Sequence, residues 1–275
     1  MRFPTRLLLA LALVVTTACG SGSSDDSEPR AGAPPTRQDQ FPVTIEAANG
    51  PVTIPEQPTA IVSLSPTATE MLFAINAGAQ VTAVDDYSDY PDEAPTSDLS
   101  GFEPNVEAVA SYEPDLVVLS NDSADVTKAL SKLDIPVLLQ PAAATLDDTY
   151  AQIEQLGTAT GHDEDAAAVV ASMQTEIAAI VSSAPVFDVP PTYYHELDDT
   201  YFTVTSDTFI GQIYSLLGLE NIADAAKGAG SGYPQLSAEY IVESDPDINF
   251  LADTKCCDQS LDSVAKRPGW DQITA

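Results

Sequence analysis

Apolar positions along this chain follow two periods. Ile61-Val62-x-Leu64, Leu116 to Leu119 and Val137 to Leu139 are short, nearly unbroken apolar runs, as expected of strands covered on both faces of a parallel sheet. The segment from Ala60 to Pro91 shows the unit they belong to. After the first run, Ser65-Pro66 breaks the strand and puts a proline where a helix tolerates one. Met71, Leu72 and Ile75 then form a helical stripe, Gly78 is read as its stop, and Val81, Ala83 and Val84 restart an extended run. Ahead of this unit, Val43, Ile45, Val52 and Ile54 alternate around Asn49-Gly50, predicting a hairpin. Beyond it, Asn105 caps a short helix, Asp125 to Leu133 forms another, and Thr145 caps a third reaching about Gly157.

From His162 to Ala184 the period changes scale. Ala166, Val169, Val170, Met173, Ile177, Ile180 and Val181 recur at spacings of three and four with no Gly or Pro between them. At about 1.5 Å per residue such a helix spans roughly 33 Å, enough to cross between two lobes or to cover one face of a single body. Pro185, Pro190 and Pro191 follow. Alternation then resumes with Thr192 to Glu196, Phe202 to Val204 and a helix from Phe209 to Leu217 before Gly218.

The second half echoes the first. NVEAVASYEPDLVVL (105–119) aligns with SAEYIVESDPDINFL (237–251), setting Glu107 on Glu239, Pro114 on Pro246, Asp115 on Asp247 and Leu119 on Leu251. Ser65-x-Thr67 has a counterpart in Ser206-x-Thr208. The fold class read from this is α/β: two Rossmann-like lobes joined by one long α-helix. The expected organisation is a signal segment over 1–18, a tether over 19–40, lobes over 41–160 and 186–275, and the joining helix over 161–185.

Charge narrows the partners. With 42 acids against 10 bases and a net charge of -32, the chain lacks the basic face that nucleic acid requires. Arg2, Arg6 and the apolar run Leu7 to Val15 form an export signal, the run being shorter than the ~20 residues that span a bilayer. Thr16-Thr17-Ala18-Cys19 resembles a bacterial lipobox, which implies lipid on Cys19; an ordinary signal peptide with a chance cysteine is the alternative. Residues 20–40 lack apolar periodicity and read as a disordered tether.

SLSPTATEMLFAINAGAQVTAVDDYSDYP, with its Ser-Pro-x-x-Thr-Glu turn and Tyr-Ser-Asp-Tyr-Pro loop, resembles the opening of the vitamin B12/iron-siderophore class of ABC-importer substrate-binding proteins, and its cobalamin-binding branch most. With the later features the likeness extends over roughly residues 43–273. It implies a helical-backbone binding fold with a ligand in the cleft. It also implies a protein outside the cytoplasm, lipid-anchored to the membrane, that is a monomer and holds no cofactor or metal of its own. Its partners would be a transported metal chelate and a permease with its ATPase. The family usually continues past a Pro-Gly-Trp segment like Pro268-Gly269-Trp270, so the second lobe is expected to be truncated at Ala275.

Open α/β sheets bind ligands beyond the carboxyl ends of their strands. The expected contacts there are Asp86, Tyr87, Tyr90 and Phe102 from the first half and His195, Tyr201, Phe202 and Tyr233 from the second, with Asp85, Asp89, Asn121, Asp122, Tyr194 and Asp198 in the same loops. Tyr87 and Tyr90 match the tyrosines of the family's loop; Phe102 and Tyr233 fall where cobalamin binders place cleft aromatics. Rings give a cleft wide apolar contact at low entropic cost. Tyr214 and Tyr240, on helix stripes, read as core. Past Arg37 the few cations (Lys128, Lys132, Lys227, Lys255, Lys266, Arg267) fall outside these loops, favouring a corrinoid or a hydroxamate complex over an anionic siderophore.

The resemblance gives Glu70 and Glu239 the role of docking to permease arginines. Thr67-x-x-Glu70 also reads as a capping box, and Glu239 suits the positive end of its helix. Cys256 and Cys257, adjacent and outside the cytoplasm, are expected to form a vicinal disulfide, and lack the spacing of a metal site. His195 could reach a haem iron if it faces the cleft, or be hydrogen-bonded at a strand end. No G-x-S-x-G, Walker loop or H-E-x-x-H occurs, which disfavours a hydrolase on a duplicated fold. The function expected is capture of a corrinoid or similar chelate and its delivery to an importer, with a ferric-siderophore or haem receptor as the alternative.

Overall fold

The computed structural model describes residues 40–274; the signal segment, Cys19 and residues 19–39 of the tether lie outside them. A hairpin of β1 (Val43–Ala47) and β2 (Gly50–Ile54) comes first. Gly50 at its turn takes φ 96°, open to glycine without penalty. Asn49 beside it donates to the Val137 carbonyl (2.9 Å) and accepts from the Leu139 amide (3.2 Å), tying the hairpin to the strand at the edge of the first sheet.

That sheet is parallel, in the order β4-β3-β5-β6. In chain order it comprises β3 (Ile61–Leu64), α1 (Pro66–Ala74), β4 (Val81–Val84), α2 (Val106–Ala110), β5 (Leu116–Leu119), α3 (Val126–Ser131) and β6 (Val137–Leu139). Every residue of β3 and β5 is buried, as their apolar runs require. After α4 (Leu146–Thr160) and α5 (Asp163–Ser183) come β7 (Thr192–Glu196), α6 (Phe209–Leu216), β8 (Glu220–Asn221), α7 (Ala238–Ser244), β9 (Ile248–Leu251) and α8 (Leu261–Val264). Their parallel sheet runs β8-β7-β9, repeating β4-β3-β5.

The repeat extends to side chains. Asp115 accepts from the Thr59 amide (2.7 Å) and hydroxyl (3.0 Å) and from the Ala60 amide (3.0 Å), fixing the approach to β3. Its counterpart Asp247 accepts from the Thr192 amide (2.8 Å) and hydroxyl (3.0 Å) at the start of β7. Those bonds hold the Asp247 carboxyl below its ordinary range. Asn105 caps α2 and Ser237 caps α7.

Gly161, in the left-handed region at φ 74°, ends α4. A Cβ on Gly157 would fall 2.5 Å from that of Ala166, so glycine there lets α5 lie close on α4. The first half of α5 is anchored in the first lobe through Ala166 and Val170, both buried. By length and composition alone α5 could cross a membrane, but this anchoring makes it part of the fold. Further along, Ile177, still packed against that core, lines with Ala178 and Val181 a groove of about 580 Å³ shared with Phe209, Ile213 and Leu216 of α6. Gln212 of α6 also donates to the Ala144 carbonyl at 2.9 Å. The architecture is thus two lobes joined by one long helix.

Four local expectations need correction. Gly78 does not stop α1; the helix closes on Ile75 and reverses at Asn76 (φ 63°), a residue type that tolerates the left-handed region, and Gly78 begins a 3₁₀ turn. Ser65, not Thr67, caps α1, accepting from the Ala68 amide. The Thr67–Glu70 capping box therefore does not form. In the second lobe the cap is Thr208, so Ser65 corresponds to Thr208 and not to Ser206, which bonds Asp224. Phe202 to Val204 is not a full strand but a single antiparallel bridge, Phe202 to Gln235.

Candidate functional site

At the carboxyl edge of the first sheet, a buried hydroxyl chain links Ser63, Thr69 and Ser88 to Asp85. Asp85 also accepts from the Tyr87 amide at 2.8 Å. Asp85, 3% exposed, is therefore an internal brace for the loop after β4. Tyr87, held on that loop, meets Phe102 edge to face, with centroids 5.6 Å apart. Phe102 is steadied from behind, its carbonyl accepting from Ser123 (2.9 Å) while Asn121 donates to the Gly101 carbonyl (3.1 Å). Asp122 receives the Thr127 amide at the start of α3. Asp86, Tyr87 and Phe102 are exposed, leaving an aromatic rim open to solvent.

A cleft of about 520 Å³ lies beside this edge. The first lobe contributes Ser65, Thr67 and Met71 with Ser120, Gln140, Thr149 and Gln152; the second contributes Phe209 and Tyr233. Among the described residues, none that lines it is charged. Tyr233, 51% exposed, is the one expected contact that lines it. Tyr90 lies instead in a neighbouring groove of about 630 Å³, with Glu70, Phe73, Glu93, Val169 and Met173. That groove and the cleft share Thr67, Met71 and Thr149, so they flank α1 on two sides. Phe209 and the amides Gln140 and Gln152 were missed by sequence reasoning. Their signal was positional: Gln140 directly follows β6, at the same carboxyl edge as the loops considered.

The second lobe's edge is built differently. His195 is buried, its Nδ1 2.9 Å from the Tyr214 hydroxyl and its Nε2 without a hydrogen-bond partner among the described residues. Burial lowers its pKa, favouring the neutral ring. Tyr193 donates no such openness either: it receives Asn221 at 2.8 Å, and burial pushes its pKa up to about 12. Tyr214 packs on Tyr193 and Phe250 at 4.6 and 4.5 Å.

Glu196 ends β7 at 0% exposure, and a buried carboxylate requires a partner. Arg267 supplies it bidentately, at 2.6 and 2.7 Å, and gives a third bond to Gln259 at 2.9 Å. Arg267, outside the candidate loops in sequence, is thereby brought to the carboxyl end of β7. The guanidinium also lies 5.3 Å from the Tyr201 ring and 4.7 Å from the Trp270 ring, within cation–π range. Asp253 is buried with neither carboxylate oxygen bonded among the described residues. Burial, then the Glu196 charge, raises its pKa. The same burial raises Tyr194. Asp198 binds Thr200 and the Phe202 amide in the turn between them, which lowers its pKa.

Glu70 and Glu239 are both exposed, one on each lobe, on α1 and in the first turn of α7. A disulfide joins Cys256 to Cys257, whose Cα atoms are 3.8 Å apart, in the loop whose Gln259 reaches Arg267. No group of three or more His, Cys, Asp or Glu among the described residues is placed to hold a metal ion.

Comparison with known proteins bears on family and fold. A cobalamin-binding protein of Halobacterium salinarum is 35% identical over 90% of this chain and 68% of its own length. An uncharacterised ABC transporter substrate-binding lipoprotein of Bacillus subtilis is 32% identical over 97% of this chain and 84% of its own. A periplasmic binding protein from Veillonella parvula shares the fold with a TM-score of 0.69 at 24% identity, over 86% of this chain and 82% of that one. The model of the periplasmic binding protein family matches residues 61–275, and the chain belongs to that family.

Proposed function

We propose that this protein is a lipid-anchored extracytoplasmic receptor that captures a corrinoid in the cleft between its lobes and hands it to an ABC permease. The lobes are residues 41–160 and 186–275, with 161–185 as the rigid element between them. The observation that carries the reading is the cleft, lined by uncharged amides and hydroxyls together with Phe209 and Tyr233. Neutral donors and acceptors with aromatic walls suit the amide-fringed face of a corrinoid. The sequence relative that binds cobalamin supports the same ligand class. In this reading the site binds its cargo and releases it, as a substrate-binding protein does.

Capture places the macrocycle between Tyr233 and the first-lobe edge, with Tyr87 and Phe102 as the outer rim. Closure is small, since α5 is anchored in the first core. Delivery uses Glu70 and Glu239, exposed carboxylates that meet arginines of the permease and set its orientation on both lobes. Cys19 carries the lipid.

Purified protein incubated with cyanocobalamin, haem or ferrioxamine B and then desalted decides the ligand. Retention of the corrinoid absorption spectrum is expected, and retention of haem or ferrioxamine alone overturns the assignment. Tyr233→Ala should weaken corrinoid binding about tenfold, the order of a lost aromatic contact. Paired Glu70→Ala and Glu239→Ala should abolish uptake at unchanged affinity, and normal uptake by that pair would refute the docking roles.

A further inference from the structure

We propose that Arg267 is the positioning residue of the second lobe's cleft rim, holding through Glu196, Tyr201 and Trp270 the paired segments that carry Phe202 and Tyr233. The inference rests on the cleft being the ligand site.

The chain of contacts is continuous. Glu196 fixes the guanidinium at the end of β7 by two bonds, and only a planar fork of donors can make this pair while presenting its face to rings. Tyr201 and Trp270 stack at 6.3 Å and 24°, and the guanidinium packs on both. Tyr201 sits at φ 69°, a left-handed conformation that a bulky residue adopts only where its surroundings impose it. Its carbonyl then receives the Leu236 amide at 3.0 Å. The Thr203 amide bonds the Pro234 carbonyl (3.0 Å) and the Thr205 amide the Gly232 carbonyl (2.9 Å). Tyr233 projects from this ladder into the cleft. Phe202 stands beside it, exposed, at the Gln235 bridge.

A purely structural Arg267 would serve only to neutralise Glu196. The two roles separate in the double variant E196Q/R267M, which removes the buried charge together with its partner but leaves Tyr201 without its guanidinium. Wild type, E196Q/R267M, R267K and Y233A are compared by calorimetric titration with cyanocobalamin, thermal melting and amide hydrogen exchange. Trp270 is the only tryptophan of the chain, so its emission reports the stack directly.

The double variant is expected to melt close to wild type while its Trp270 emission shifts to the red. Exchange at the Thr203, Thr205 and Leu236 amides should rise at least tenfold, with corrinoid affinity falling about tenfold. R267K, which keeps the charge but not the fork, should show the same loosening to a smaller degree. If E196Q/R267M keeps wild-type exchange, emission and affinity while Y233A binds weakly, the positioning role is wrong. If wild type does not bind the corrinoid, the ligand assignment fails, and exchange and emission in the double variant still decide for or against Arg267.

Discussion

The two sheets share a strand order but not a means of cohesion. In the first, β3 and β5 are buried along their whole length with only Ser63 polar, and leucine, isoleucine and valine side chains of the strands pack against α1, α3 and α4. In the second, the central strand β7 reads Thr-Tyr-Tyr-His-Glu, and its buried positions hold two tyrosines, an imidazole and a carboxylate. Its neighbour β9 is half-buried throughout, where its counterpart β5 is buried throughout. Apolar burial is non-directional and tolerates small misfits, whereas buried polar groups require specific partners at bonding distance. The first lobe is therefore a general-purpose core. The second combines a smaller apolar cluster with buried polar groups, of which Glu196 relies on Arg267.

The largest effect should follow from breaking that ion pair. Arg267→Met leaves Glu196 buried without a counter-ion and should lower stability by about 3–5 kcal/mol, measured by denaturant unfolding. A loss under 1 kcal/mol would mean that Glu196 finds water, and the contrast between the lobes would collapse. Next in size are the matched leucines. Leu119→Ala, at 1% exposure, should cost about 2–5 kcal/mol, while Leu251→Ala in half-buried β9 should cost roughly 1–2 kcal/mol, in proportion to the area it buries. Equal losses would show that the second core is as dense as the first. Asp115→Ala and Asp247→Ala make a control, because each removes the same tie between a Pro-Asp turn and the start of a central strand. Their melting shifts should be small and alike, and a large inequality would break the duplication at its best-matched side chain.

What could be read from the sequence follows the same division. The strands of the first lobe announce themselves because full burial on two faces permits only apolar residues. The long helix is legible because its stripe runs unbroken over 21 residues. The repeat is legible because the Pro-Asp turn and helix cap recur with the residues that make their bonds. Turn chemistry was less legible. Asn76 and Gly78 compete to end α1, and the choice depends on Leu72 accepting the Ala77 amide, which sequence does not display. The site divides likewise: Tyr233 could be placed in the cleft from the resemblance, but Tyr90 and His195 could not be told apart from it. A ring beside a strand end can face the cleft, a groove or the core according to one backbone turn. Arg267 was discoverable in principle, since Glu196 ends a strand of otherwise buried residues and needs a cation, and Arg267 is the only arginine past Arg37.

The smallest and most selective test concerns protons. Burial lowers the His195 pKa below its ordinary 6.5, so the unfolded chain takes up a proton before the folded one does. Its contribution is therefore fully present above about pH 6.5 and is lost as pH falls through the depressed folded value. Asp253 acts in the opposite sense: with its folded pKa raised, its contribution is present at low pH and is lost as pH rises from about 4 through that value. The two trends overlap in a raw stability curve, so a paired measurement is needed. His195→Gln keeps a polar partner for the Tyr214 hydroxyl but cannot titrate. The difference between wild-type and H195Q melting temperatures should be flat from pH 8 to about 6.5 and then fall toward pH 5. Asp253 is common to both proteins and cancels. Parallel curves would place His195 in contact with water, and with it the interior of the second lobe.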